Sequence, residues 1–324
     1  MRTAFKNELF ALAKQDPRIV LIVGDLGFGV VTPFMEHLPA QFLNAGVAEQ
    51  NMTGMAAGMA LSGKIALTYS IANFPTLRCL EQVRNDVCYH NANVKIVSVG
   101  GGFTYGAMGA THHAIEDLAV MRALPGLVVV APGDPVEARA ATRAVIAYSG
   151  PCYLRLGKAG EPTVHQTAIN LELGKAIRLR EGRDATLIST GGILQNVVRA
   201  AERLAKEGIE TRVLSMHTLK PLDMEAVLAA ARETEAIFTI EEHSTLGGLG
   251  TAVAEVLAET EGIKASLKRI GVPPVFSPHI GSQEYMQQCH GLTDEAIAKT
   301  VAHTLRTVTS GLVSRERETG SWNR

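Results

Sequence analysis

Residues 18–25 read RIVLIVGD: an unbroken apolar run, Ile19 to Val23, that stops at a Gly-Asp turn. A strand with one face in water alternates apolar and polar residues. A run that is apolar at every position fits a strand covered on both faces, as in a parallel sheet. The same signature recurs at regular intervals with helical patterns between. KIALTYS (64–70), VKIVSVGG (94–101), GLVVVAPGD (126–134) and PCYLRLG (151–157) read as further strands. Between them lie GVAEQNMTGMAAGMALSG (46–63), a helix from about Thr76 to Asn91, IEDLAVMRAL (115–124) and PVEARAATRAVIAYSG (135–150). Strand–helix alternation predicts an α/β fold, with a parallel sheet carrying helices on both faces. The helix at 46–63 is small-faced all round and is expected to be packed on both sides. MRTAFKNELFALAKQDP at the start has no continuous apolar core and reads as an amphipathic helix rather than a signal peptide.

Residues 158–175, KAGEPTVHQTAINLELGK, break the alternation. It resumes with DATLISTGG, ILQNVVRAAERLAKEG, IETRVLSMHTL, DMEAVLAAARET, EAIFTIEEH and TAVAEVLAET, where IETRVLSMHTL is one expected strand. The expected organisation is two doubly wound three-layer α/β domains, 1–160 and 176–308, joined by a linker at 161–175 and followed by a polar tail at 309–324. The chain's 324 residues suffice for two cores. Lys+Arg 31 against Asp+Glu 32 gives a net charge of −1, so no positive field recruits nucleic acid or an anionic membrane. Cys79, Cys88, Cys152 and Cys289 form no C-x-x-C, which fits reduced thiols in a cytoplasmic protein better than a disulfide scaffold or structural zinc.

Glu49 is the first candidate for chemistry. No other charged residue lies between His37 and Lys64. A first-turn Glu is favoured by the helix dipole alone. A carboxylate isolated in an apolar stretch, however, must be paired, bound to a ligand, or protonated. GGLG (Gly247–Gly250) before a helix could bind an anion, although a glycine cluster alone is weak evidence. His217 and His243 read as structural.

GVAEQNMTGMAAGMA resembles the pyrimidine-binding motif of transketolases and 1-deoxyxylulose-5-phosphate synthases. GATHHAIEDLAVMRALPGLVVVAPGDPVEA (109–138) resembles their THQ segment and the strand and turn after it. TGG, HTLKPLD and EEHSTLGGLG look like the same family's C-terminal domain. The likeness spans about residues 1–305 and corresponds to the last two domains of a full-length enzyme. It implies thiamine diphosphate as cofactor, with Glu49 hydrogen-bonding a ring nitrogen of the aminopyrimidine and so favouring its imino tautomer. By the same resemblance Phe74 stacks on the pyrimidine, with Tyr69 as the alternative and a plain core role open. His112 lines the substrate channel, and His113 takes the Gln position of THQ. Arg155 and Arg2 bind the substrate phosphate, while a structural ion pair stays open for Arg155.

Three departures qualify the likeness. The family's diphosphate–Mg²⁺ site is a G-D-G motif followed by Asn, where this chain has Gly24-Asp25-Leu26-Gly27, and Asn44 follows too closely, in a different element. Met108 stands near the place of an acidic residue, and Gly100-Gly101-Gly102 replaces a His. The resemblance therefore implies the C-terminal subunit of a split transketolase, transferring a two-carbon ketol unit between sugars, with phosphorylated sugars favoured. An N-terminal subunit would supply the Mg²⁺ and diphosphate site within a heterotetramer. The β subunit of a 2-oxoacid dehydrogenase shares the two-domain plan, but THH with IEDLAVMRALP favours the transketolase side. A non-catalytic regulatory relative would have no reason to keep both Glu49 and His112.

Overall fold

The computed structural model describes residues 1–319 apart from Phe28 and Ala159, with side chains up to residue 307. The strands in chain order are β1 (Ile19–Val23), β2 (Phe42–Asn44), β3 (Ile65–Ile71), β4 (Val94–Val99), β5 (Val128–Val130), β6 (Cys152–Leu156), β7 (Ile177–Arg180), β8 (Ala185–Thr190), β9 (Thr211–Ser215), β10 (Thr218–Lys220), β11 (Ala236–Ser244) and β12 (Ser266–Val272). The helices are α1 (Arg2–Ala13), α2 (Thr32–His37), α3 (Glu49–Leu61), α4 (Leu80–Gln82), α5 (Asp117–Ala123), α6 (Pro135–Ala147), α7 (Leu194–Lys206), α8 (Met224–Glu233), α9 (Leu249–Ala258), α10 (Gln283–Cys289) and α11 (Asp294–Thr319). The expected polar tail at 309–324 lies outside the described side chains, and beyond Thr319 outside the described residues altogether.

Two sheets form, in the orders β10-β5-β6-β4-β3-β1-β2 and β12-β11-β8-β9-β7. Their inner pairs are parallel, and β1, β4, β6 and β8 are buried at every position, as strands covered on both faces are, with Lys95 of β4 and Arg155 of β6 buried among the apolar residues. Each sheet also carries one antiparallel edge strand, β10 on β5 and β7 on β9, so the sheets are mixed rather than purely parallel. Local chemistry sets the helix starts. Asp134 accepts a hydrogen bond from the Glu137 N–H at 2.7 Å with Pro135 in the first helical position of α6, and Asp223 caps α8 in the same way.

Three expectations change. IETRVLSMHTL is not one strand: it breaks after Ser215, and its end becomes β10, which crosses to the first sheet and pairs Thr218 with Val130. The helix expected over Thr76–Asn91 is short, with turns to Cys79, then α4, then a wide π turn at Val83–Cys88. The bend before α4 is held by Thr76, whose hydroxyl donates to the Ala72 carbonyl. Finally, α3 is packed on one face only. Met52, Thr53, Ala56 and Ala57 are buried, while a Cβ added at Gly54 or Gly58 would meet nothing within 4 Å among the described residues.

The two sheets share a core. Leu118, Met121 and Val129 from the first half pack in one cluster with Ile188, Leu214, Leu219, Leu249 and Val253 from the second. Arg122 reinforces the contact with a two-pronged pair to Glu255 at 2.7 and 3.0 Å. At the end of β11, the fully buried Glu241 accepts the Leu249 and Gly250 N–H groups at 2.7 and 2.8 Å. The helix end that could have held an anion is thus filled by the chain's own carboxyl, which corrects the GGLG reading. His217 and His243 are buried and hydrogen-bonded to Thr218 and Ser244.

Burial pushes the Glu241 carboxyl up to about 7 from its usual 4.5. A carboxyl raised by folding contributes stability that is complete below about pH 4.5 and is lost as the pH rises through about 7. Glu241→Gln should therefore flatten the decline of Tm over that window. Thermal melts of both proteins at half-unit pH steps check this, and parallel profiles would contradict it.

Candidate active site

Glu49 is the first residue of α3 and is 1% exposed. The chain enters α3 from β2, at the carboxyl ends of the parallel strands, where sheets of this kind open their clefts. Two residues meet the carboxylate. Ser70, at the end of β3, donates its hydroxyl to Oε1 at 3.3 Å, and Arg78 donates Nη1 to Oε2 at 2.6 Å. A Cβ added at Gly24 would lie 3.4 Å from Oε1, so a glycine at the end of β1 leaves the carboxylate its room. Of the three fates open to a lone buried carboxylate, the chain by itself uses pairing.

The Arg78 guanidinium also lies over the Phe74 ring, 4.6 Å from its centroid. His112 stands edge-on to the same ring at 5.4 Å, with Nδ1 3.0 Å from the Thr111 hydroxyl. Asn73 donates its amide to the carbonyls of Thr111 and His113, at 3.1 and 3.0 Å, and so fixes the two loops to each other. Glu49 and Phe74 thereby meet at one guanidinium, with His112 against the edge of the Phe74 ring. His113 turns inward, its Nε2 3.0 Å from the Gly106 carbonyl and its ring against Phe103. Arg78, Ser70 and Asn73 were not singled out from the sequence. The only signal for Arg78 is a cation four residues after an aromatic, a common pattern.

Other expected residues lie elsewhere. Tyr69 is buried on the opposite side of β3 from Ser70 and stacks on Phe5 at 6.1 Å, and burial pushes its phenol up. It is core, not a stacking platform. Arg155, 5% exposed, donates Nε to Asp117 at 2.8 Å and Nη2 to Asp117 and to the carbonyls of Ala114 and Glu242. The fork expected for a substrate phosphate is spent inside the chain. Only Nη1 remains, bordering a polar cavity of about 430 Å³ between the two halves. Arg2 is half-buried with its Nε unpartnered, beside the Tyr105 phenol, which burial pushes up. Asn44 is closer to Asp25 than its separate element suggested: its amide donates to the Asp25 carboxylate at 2.9 Å. Among the described residues, no group of three or more His, Cys, Asp or Glu is placed to hold a metal ion.

Comparisons with known proteins give this geometry its context. Residues 1–161 match the family model for the transketolase pyrimidine binding domain, and residues 174–297 match that for the transketolase C-terminal domain. An apulose-4-phosphate transketolase subunit of Phocaeicola vulgatus is 41% identical over 92% of this chain and 95% of that protein. A 6-deoxy-6-sulfo-D-fructose transketolase subunit of a Clostridium species is 39% identical over 92% of each. A solved split gene transketolase, described as an inactive beta4 tetramer, superposes with a TM-score of 0.85 at 38% identity, covering 94% of this chain and 97% of that one.

The chain belongs to the transketolase family.

Transketolases depend on thiamine diphosphate, and this site fits the cofactor's aminopyrimidine. A planar group that donates an N–H already sits between Glu49 and Phe74, in the form of the Arg78 guanidinium. The glycines that depart from the transketolase pattern also find a reason. A Cβ at Gly100 would run into the Tyr105 ring, one at Gly101 into Arg155, and one at Gly102 into Glu242. The space beside the His112 loop is given to those three side chains.

Arg155→Ala would leave Asp117 buried and unpaired, which costs about 3–5 kcal/mol for a pair of this kind. Chemical denaturation should show that loss. An unchanged unfolding midpoint would mean that the pair does not hold the fold.

Proposed function

We propose that this chain is the C-terminal subunit of a split transketolase and supplies the pyrimidine side of a site completed by a separate N-terminal subunit. The observation that carries the reading is the buried Glu49 carboxylate set against Phe74, with His112 at the rim. The partner's share is the diphosphate and its Mg²⁺, since the G-D-G motif is missing from this chain. Val47, Leu61 and Leu77 are exposed around Glu49 and α3, a surface suited to cover by another subunit in a heterotetramer. The four cysteines are free, which suits the cytoplasm.

When bound, thiamine diphosphate supplies the carbon that takes up and passes on the two-carbon ketol unit. Glu49 holds its carboxyl toward a ring nitrogen of the aminopyrimidine, and Phe74 gives the ring a face to rest on. Ser70 keeps the carboxyl oriented from behind. His112 lies where oxygens of the sugar would pass, and an imidazole can give and take their protons near neutral pH. The relatives act, by their names, on an apulose phosphate and a sulfofructose, sugars with an anionic group. We assign the anionic end of this chain's sugar to Arg2 and Tyr105, because Arg155 is already engaged.

Glu49→Gln should leave the fold intact and slow hydrogen–deuterium exchange at the cofactor's thiazolium carbon by about 10²–10⁴-fold in the reconstituted two-subunit complex. Exchange at the wild-type rate would remove Glu49 from the mechanism. Arg2→Ala should raise KM for phosphorylated sugars about tenfold or more with kcat little changed, since that contact serves ground state and transition state alike. Steady-state kinetics on matched phosphorylated and unphosphorylated ketoses measure this, and an equal KM change for both would show that Arg2 does not read the anion.

A further inference from the structure

The Arg78 guanidinium sits where the proposed site needs room. It touches the two residues assigned to the pyrimidine, giving an N–H to Glu49 at 2.6 Å and lying 4.6 Å from the centre of Phe74. A guanidinium and an aminopyrimidine share a planar N–C–N unit with N–H groups at its edge. They differ in charge and in hydrogen bonding. A guanidinium only donates hydrogen bonds, whereas a pyrimidine ring nitrogen accepts one.

We propose that Arg78 is an internal stand-in for the cofactor's aminopyrimidine, filling the slot between Glu49 and Phe74 until the cofactor displaces it. The inference rests on the cofactor reading above. Arg78 is built to leave. Its side chain is 45% exposed, and among the described residues its guanidinium has one hydrogen-bond partner and one ring face. The guanidinium of Arg155, by contrast, is 5% exposed and bonded to a carboxylate and two carbonyls.

The exchange carries a proton. While Arg78 is in place, its donor-only guanidinium pairs with ionised Glu49. Once a ring nitrogen replaces it, Glu49 must donate, so its carboxyl must be protonated. The other groups facing the carboxylate cannot take over either charge. Ser70 on β3 is a neutral hydroxyl, Gly24 after β1 has no side chain, and the Cys79 thiol nearby is buried and pushed up by that burial. Cofactor binding should therefore draw about one proton per site from solution. Removing Arg78 takes away the ion pair that binding would otherwise have to break. It also ends the competition for the slot: if the stand-in holds it about 90% of the time, its removal tightens binding about tenfold.

The test is calorimetry of the reconstituted two-subunit complex with thiamine diphosphate and Mg²⁺, in two buffers of different ionisation enthalpy at one pH near 7. Wild type should take up about one proton per site. Arg78→Ala should bind about tenfold tighter. Arg78→Lys should keep the uptake, because it keeps a donor-only cation. Equal affinity in wild type and Arg78→Ala would overturn the proposal, as would weaker binding by Arg78→Ala with its fold confirmed by melting. Glu49→Gln separates the two levels. If that variant loses proton uptake while Arg78→Ala matches wild type, the cofactor site stands and the stand-in falls. If Glu49→Gln binds with wild-type affinity and proton uptake, the site assignment falls and the stand-in falls with it.

Discussion

Much of this molecule turns on the side chain of Arg155. It comes off the end of β6 and reaches Asp117 at the start of α5, the Ala114 carbonyl just after His112 and His113, and the Glu242 carbonyl in β11 of the other sheet. One guanidinium therefore fixes the end of the first sheet, the loop that carries His112, and the second half of the chain. A buried charge cannot go unpaired, and Asp117 is fully buried. The bond from the same guanidinium to the Glu242 carbonyl ties this buried pair to the second half. β10 and the shared apolar core act in the same direction, so the second half is a buttress for the site as well as a unit of its own.

The strands of both halves could be read from the chain because burial on both faces leaves unbroken apolar runs. β10 could not. It continues the run IETRVLSMHTL, and nothing in three residues says that the last of them pair with a different sheet. Glu49 was legible as the one charge in a long apolar stretch, and His112 as part of a long matching segment. Arg155 stayed open between a phosphate and an ion pair for a physical reason: a guanidinium fork suits a phosphate and an aspartate equally, and the Asp117 partner lies 38 residues away. The GGLG turn failed in a similar way, since an internal carboxylate from β11 satisfies it as well as any ligand.

The face of α3 that the chain leaves bare has a bearing on why the site is only half built. Gly54 and Gly58 lie one helical turn apart with nothing against them, and Leu61 is exposed beyond them. Small residues let another backbone come close, while an exposed leucine gains from being covered. Glu49 opens the same helix. A subunit seated on that face would rest within a turn or two of the carboxylate, so closing the interface and closing the site become one event.

The sugar side shows how one local change propagates through close packing. Three glycines, Gly100 to Gly102, follow β4, and the volume beside them is taken by Tyr105, Arg155 and Glu242. Glu242 is held there by the Phe103 N–H and by Gln283 and Gln287 of α10, and Tyr105 is flanked by Arg2 and Lys158. None of the three glycines can regain a Cβ without expelling one of those groups. If Arg2 and Tyr105 hold the sugar's anionic end as proposed, selectivity there is tied to the contact between the two halves: the Tyr105 phenol beside Arg2 occupies its place because Gly100 has no side chain, and Gly101 and Gly102 face the residues that bind the second sheet to the first. A change of substrate here would have to pass through the packing of both halves, while the Glu49 side of the site could stay as it is.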